Sequence, residues 1–201
     1  SPLFLFPNRV SSLSPQLQTK WHDYTLAEAT KFVAKNGTVI VCAVSSPFLP
    51  FLNNWLISVS GQKHQDKVLV IAEDYATLYK VNEKWPGHAL LMKKWIEELQ
   101  SQAWSESIRY KANDQPAFNL ALNKTAHLVD LYLLSQVAFP TGGLYFKNKT
   151  WVKETKGKHG KHVIIHNNYI IGYDKKMKRF HKYGLWLVDD HALESPLGKL
   201  Q

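Results

Sequence analysis

The 201-residue chain is 45% hydrophobic and carries seven tryptophans, enough apolar material for one well-packed domain and too little for two comfortable ones. Twenty-five Lys and Arg against sixteen Asp and Glu leave a formal charge of +9, which favours an anionic partner such as nucleic acid, a membrane surface, a nucleotide diphosphate or an acidic polysaccharide. No zinc-finger spacing, ribonucleoprotein motif or basic recognition helix accompanies that charge, so nucleic acid is set aside, and much of the excess lies in Lys153 to Lys161 and Lys175 to Arg179, as on a solvated face.

Residues 1 to 20, with Pro2, Pro7, Pro15 and several serines, lack periodicity and are expected to form a stem or linker. Their apolar run Leu3-Phe4-Leu5-Phe6 is too short to cross a bilayer, so a membrane anchor requires an upstream segment. The folded part is expected from Trp21 to the end. Thr25 to Ala34 suits a helix with Thr25 as N-cap, Glu28 as its capping-box partner and Lys35-Asn36-Gly37 as the stop. Thr38 to Val44 is a continuous apolar run rich in β-branched residues, expected as a parallel strand covered on both faces. It contains the single cysteine, Cys42, which has no internal disulfide partner and is expected to pack as a small core residue.

Phe51 to Ser60 reads as a crossover helix and Lys67 to Ala72 as a second parallel strand, completing a βαβ unit. In open α/β sheets ligands sit at the carboxyl ends of the strands, which nominates Ser45, Asp74 and Tyr75 to meet a nucleoside. Asp74 equally suits the N-cap of the next helix, Tyr75 to Val81. Leu90 to Leu99 is expected as an amphipathic helix with Met92, Ile96 and Leu99 on one face. Asp114-Gln115-Pro116 carries a helix start signal. Val129 to Phe139 suits strand or helix, Pro140-Thr141-Gly142-Gly143 a terminating turn, and Val163 to His166 and Leu185 to Val188 short late strands. Trp151, Tyr145 and Trp186 are candidates to stack on sugar, though tryptophans more often fill cores. His159 and His162 have a metal-like spacing but no accompanying cysteine or carboxylate cluster. The sequons Asn36-Gly37-Thr38, Asn123-Lys124-Thr125 and Asn148-Lys149-Thr150 point to the secretory lumen.

Five runs, Asn36 to Val44, Trp55 to Ala89, Asn113 to Asn123, Phe139 to Glu154 and Val163 to Tyr169, closely resemble the plant nucleotide-diphospho-sugar transferases of glycosyltransferase family 77. Within that family they are similar to the rhamnogalacturonan-II xylosyltransferases, on stretches such as Val68 to Tyr79 and Phe139-Pro140-Thr141-Gly142-Gly143. The resemblance implies an α/β fold of the Rossmann-like GT-A type, a UDP-xylose donor, manganese or magnesium, and an acidic pectic acceptor carrying fucose. It also implies a type II membrane protein of the Golgi with its domain in the lumen. Asp114 and Gln115 match the acceptor-side motif of the family, where Asp114 would orient or deprotonate the acceptor hydroxyl. His166, before Asn167-Asn168, matches the late histidine that holds the metal; a hydrogen-bonded histidine at a strand end is the alternative.

One departure bears on the chemistry. In the family, the segment with Asp-x-Asp lies between Trp85-Pro86-Gly87-His88 and the helix containing Trp95 to Leu99; here the two are fused at Ala89-Leu90, and no Asp-x-Asp occurs anywhere. Loss of that element is expected to remove a central strand and both metal carboxylates, to weaken the fold and impair turnover. The chain then reads as an impaired pectin xylosyltransferase or, alternatively, as an inactive sugar- or nucleotide-binding remnant.

Overall fold

A computed structural model describes residues 20–34, 36–92, 132–158 and 162–200. The expected stem, the rest of the Leu90 to Leu99 helix beyond Met92, and Asp114 with Gln115 lie outside those residues. The chain divides into two compact units, Ser1–Ser105 with Leu187–Gln201, and Glu106–Trp186.

The first unit is built on a parallel sheet in the order β1-β2-β3, formed by Ile40–Val44, Val68–Ala72 and Ala89–Leu91. Val70 pairs with Cys42 on one side and Ala89 on the other, which makes β2 the inner strand. An inner parallel strand must bury both faces, and all five residues of Val68-Leu69-Val70-Ile71-Ala72 are buried. Their side chains alternate between two apolar clusters. Val68, Val70 and Ala72 pack with Leu52 and Leu56 of α2 (Leu49–Gly61), and with Leu78 and Val81 of α3 (Tyr75–Lys84). Leu69 and Ile71 pack with Ala29 and Val33 of α1 (Leu26–Val33). Trp21 is buried in the larger cluster, so the fold does take hold there.

Helix α1 starts as its sequence dictates. The Thr25 hydroxyl accepts from Glu28 N, while the Glu28 carboxylate accepts from Thr25 N at 2.9 Å, closing a capping box. Strand β1 departs from expectation. Only alternate residues of Ile40 to Val44 are sheltered, and Val41 is 57% exposed, because α1 lies over β2 and β3 and leaves that side of β1 open among the described residues. Cys42 faces the larger cluster, and burial pushes its thiol up to about 12, far from a reactive thiolate.

Leu90 and Leu91 are strand rather than the expected helix: with Ala89 they are buried and pair with β2, and adjacent leucines on opposite faces suit a doubly covered strand. Two side chains fix where that strand begins. Asn82, fully buried on α3, accepts from the N–H groups of Gly87 and Ala89 and donates to the Ala89 carbonyl at 2.9 Å. His88 donates from Nδ1 to the Val68 carbonyl at 2.8 Å, with its ring stacked on Trp85. The C-terminal segment is tied to α2 by two buried asparagines. Asn53 donates to the Gly198 carbonyl, and Asn54 accepts from Leu187 N.

In the second unit Pro140-Thr141-Gly142-Gly143 opens an element instead of ending one. The Thr141 hydroxyl accepts from Leu144 N and caps α4 (Gly142–Lys147), which is followed by α5 (Lys149–Lys158) and α6 (Tyr173–Lys182). Of the apolar run ending at Phe139, the described part is an irregular stretch and a turn, with Tyr132, Leu133 and Leu134 exposed. Val163 to His166 contributes a single parallel bridge, His166 to Thr141, rather than a strand. Leu185 to Leu187 is also irregular and leads into the short helix α7, Val188–His191, in the first unit. Neither segment has a neighbouring ladder among the described residues, so local β-propensity has nothing to pair with.

Candidate functional site

The nominated residues of the first unit converge at the carboxyl ends of β1 and β2. Asp74 follows β2 and caps α3, its carboxylate accepting from Thr77 N at 2.7 Å. The other carboxylate oxygen accepts from Ser46 N at 2.7 Å, which ties the loop after β1 to the loop after β2. Burial pushes the Asp74 carboxyl up, but the N–H groups of Ser46 and Thr77 outweigh it and hold the group below its usual range. Asp74 is therefore an ionised cap and loop clamp whose acceptor capacity is largely committed to backbone. Ser45 precedes the Ser46–Phe48 turn of 3-10 helix, and its hydroxyl makes no capping bond there. The exposed Tyr75 ring stacks on His22, with its hydroxyl 2.8 Å from His22 Nε2, and continues into Tyr79. The three nominated residues are thus adjacent, and the exposed Tyr75 ring is flanked by His22 and Tyr79.

In the second unit the two motifs separated by more than twenty residues of sequence meet. His166 N donates to the Pro140 carbonyl at 3.0 Å, and Gly142 N donates to Asn168 Oδ1 at 2.7 Å. The approach is close enough to require glycine: a Cβ on Gly142 would stand 2.4 Å from the Asn168 carbonyl oxygen. Asn167 is held from α6, donating to the Lys176 carbonyl and accepting from Arg179 Nε at 2.7 Å. A terminal nitrogen of Arg179 also donates to Asn167 Oδ1 and, at 2.8 Å, to the Asn168 carbonyl. The guanidinium lies over the Phe146 ring at 4.2 Å. Tyr169 leaves this loop in the left-handed region, with φ of 56°, under the Lys147 ammonium.

His166 itself sits on an isolated bridge with an exposed ring. Desolvation by its neighbours, with Lys176 adding to it, lowers its pKa below the ordinary value, so the imidazole is neutral near pH 7 and able to act as an electron-pair donor. Among the described residues no group of three or more His, Cys, Asp or Glu could hold an ion, and the sequence has no Asp-x-Asp to add one. A divalent cation bridging two phosphates needs several oxygen ligands, so the described residues do not by themselves fit it. His162 is engaged elsewhere, donating from Nδ1 to the Val137 carbonyl, stacked on Trp151 and edge-on to Tyr145. Trp186 packs against His181, so the rings proposed to meet sugar have protein partners.

Sequence reasoning missed Asn82, Asn53, Asn54 and Arg179. The first three carry a signal, an asparagine inside an otherwise buried helical face, which demands a partner for its amide. Arg179 lies within a run of basic residues and has no comparable local mark.

Comparison with known proteins agrees with this architecture. The family model described as nucleotide-diphospho-sugar transferase matches residues 88–180, from the start of β3 to the Arg179 helix. The chain is similar to the Arabidopsis thaliana UDP-D-xylose:L-fucose alpha-1,3-D-xylosyltransferase 1, at 57% identity over 309 residues, covering 100% of this chain and 85% of the relative. A second Arabidopsis thaliana UDP-D-xylose:L-fucose alpha-1,3-D-xylosyltransferase is 54% identical, with 100% and 85% covered, and the one designated MGP4 is 50% identical, with 100% and 83% covered. The first alignment is 108 positions longer than this chain, 309 against 201, so the relative carries residues that this chain lacks. No solved structure matches. With a parallel α/β sheet, matching motifs and full-length similarity of this degree, the chain belongs to the nucleotide-diphospho-sugar transferases of glycosyltransferase family 77, in an incomplete version of their GT-A fold.

Proposed function

We propose that this chain is a xylosyltransferase by lineage, built to recognise UDP-xylose and a fucose-containing acceptor, whose turnover is impaired by the missing segment. The observation that carries this is the match to xylosyltransferases along the whole chain, at 57% identity, in an alignment 108 positions longer than the chain. This reading puts the gap at Ala89-Leu90, where the two family-like segments are fused in the sequence. In this reading the acceptor is the acidic pectin rhamnogalacturonan II, and the net charge of +9 suits such a polyanion. The domain works in the Golgi lumen, with an anchor wherever the gene encodes an upstream segment. Among the described residues no helix is long and apolar enough to cross a membrane.

Transfer of xylose requires neutralisation of the departing UDP, and a manganese ion held by paired carboxylates would supply it in an intact enzyme. This chain has a neutral His166, the clamped Ser46–Asp74 loops and the exposed Tyr75 ring, which serve recognition and orientation. Asp114 and Gln115 are assigned to the acceptor hydroxyl. The alternative, a sugar- or nucleotide-binding remnant, is favoured by the absence of Asp-x-Asp from the sequence.

The test is release of UDP from UDP-xylose by the pure chain, with manganese and a fucoside. No release above the uncatalysed background is expected, and insertion of the relative's extra segment after Ala89 should restore transfer. Manganese-dependent release by the chain as it stands would overturn the impairment. A folded, repaired chain that forms no xylosyl-fucoside would overturn the lineage reading.

A further inference from the structure

We propose that Arg179 is a positioning residue that sets the loop His166-Asn167-Asn168 against Gly142 for contact with the diphosphate of UDP. The inference rests on the reading that the chain recognises UDP-xylose. It starts from how the polar groups of this loop are used. Asn167 is spent on Arg179 and the Lys176 carbonyl, and Asn168 is spent on Gly142 N and a terminal nitrogen of Arg179. The His166 ring, by contrast, is exposed and has no hydrogen bond among the described residues. The loop thus turns one polar side chain outward and uses the others to hold itself.

The holding converges on one guanidinium. Arg179 reaches Asn167 Oδ1 with two nitrogens and the Asn168 carbonyl with one of them, while its plane rests on Phe146 of α4. A planar fork can satisfy those acceptors and stack at the same time, whereas a lysine ammonium cannot reproduce that geometry. Because Phe146 and Gly142 lie on the same short helix, Arg179 fixes the loop relative to the α4 start from two directions. The surrounding Lys147 and Lys176 give this edge a positive field suited to a phosphate group.

The experiment compares Arg179→Met, Arg179→Lys and Asn167→Ala with the parent chain, using amide hydrogen exchange and UDP titration by calorimetry. Faster exchange at Gly142 and Asn168 is expected in all three variants, with β2 amides unchanged and UDP affinity reduced about tenfold, the loss of one charge-assisted contact network. Unchanged exchange at Gly142 and Asn168 would overturn the proposal. So would faster exchange with unaltered UDP affinity, since the clasp would then be merely structural, and so would full rescue by lysine. Global unfolding of both Arg179→Met and Asn167→Ala would likewise assign them to stability alone. If the parent binds no UDP, the recognition reading fails, and with it the diphosphate role of the clasp, whatever the exchange data show about its rigidity.

Discussion

Asp74 and Arg179 each tie one loop to another, but they work in different settings. Asp74 joins two loops that a parallel sheet has already brought together, and β2 beneath it is buried on both faces. Arg179 holds a loop whose only regular backbone pairing among the described residues is the bridge between Thr141 and His166. In the first unit apolar burial sets the position and a carboxylate refines it. In the second, a few directional bonds and a glycine set the position themselves. Loss of one polar contact should therefore blur the first unit slightly and displace the second.

The largest effect is expected in the core of the sheet unit. Leu56→Ala removes a side chain with 0% exposure and should cost about 2 to 5 kcal/mol, seen as faster global exchange of the β2 amides. Gly142→Ala comes next, because the clash is with backbone: a loss of about 1 to 3 kcal/mol is expected, with exchange at Asn168 accelerated and β2 spared. If β2 were to loosen equally, the contrast between the units would be broken. Asp74→Ala should cost about 0.5 to 2 kcal/mol through the lost cap. The same carboxylate gives a pH signature. Its folded pKa lies below the unfolded value of about 3.9, so its contribution is fully present above that pH and is lost as pH falls toward the folded value; Asp74→Asn should flatten this limb in acid titrations followed by circular dichroism. The smallest change is expected for Tyr75→Phe, within about 0.5 kcal/mol of the parent in denaturant melts.

The same contrast explains what could be read in advance. The capping box at Thr25 and Glu28, the α2 crossover and the β2 run follow from local pattern, because each is a short-range consequence of burial or helix-end chemistry. That one face of β1 is left open by the described residues was not legible, since its composition records hydrophobicity and not which neighbour covers it. Leu90 and Leu91 were misread because their apolar spacing fits a helix as readily as a strand, and pairing with β2 decided the matter. At the candidate sites, the meeting of Ser45, Asp74 and Tyr75 followed from the βαβ rule. The clasp of Arg179 on Asn167 depends on how α6 folds back and leaves no periodic trace.

The Asn82 hook has a practical meaning for building on this scaffold. Both backbone groups of Ala89 are gripped by a side chain from α3, so the start of β3 is set by residues that precede Leu90. Leu90 and Leu91 complete that strand against Ile71 and Ala72, so any segment spliced in after Ala89 has to supply residues that take their places in the ladder, starting from the register that Asn82 marks.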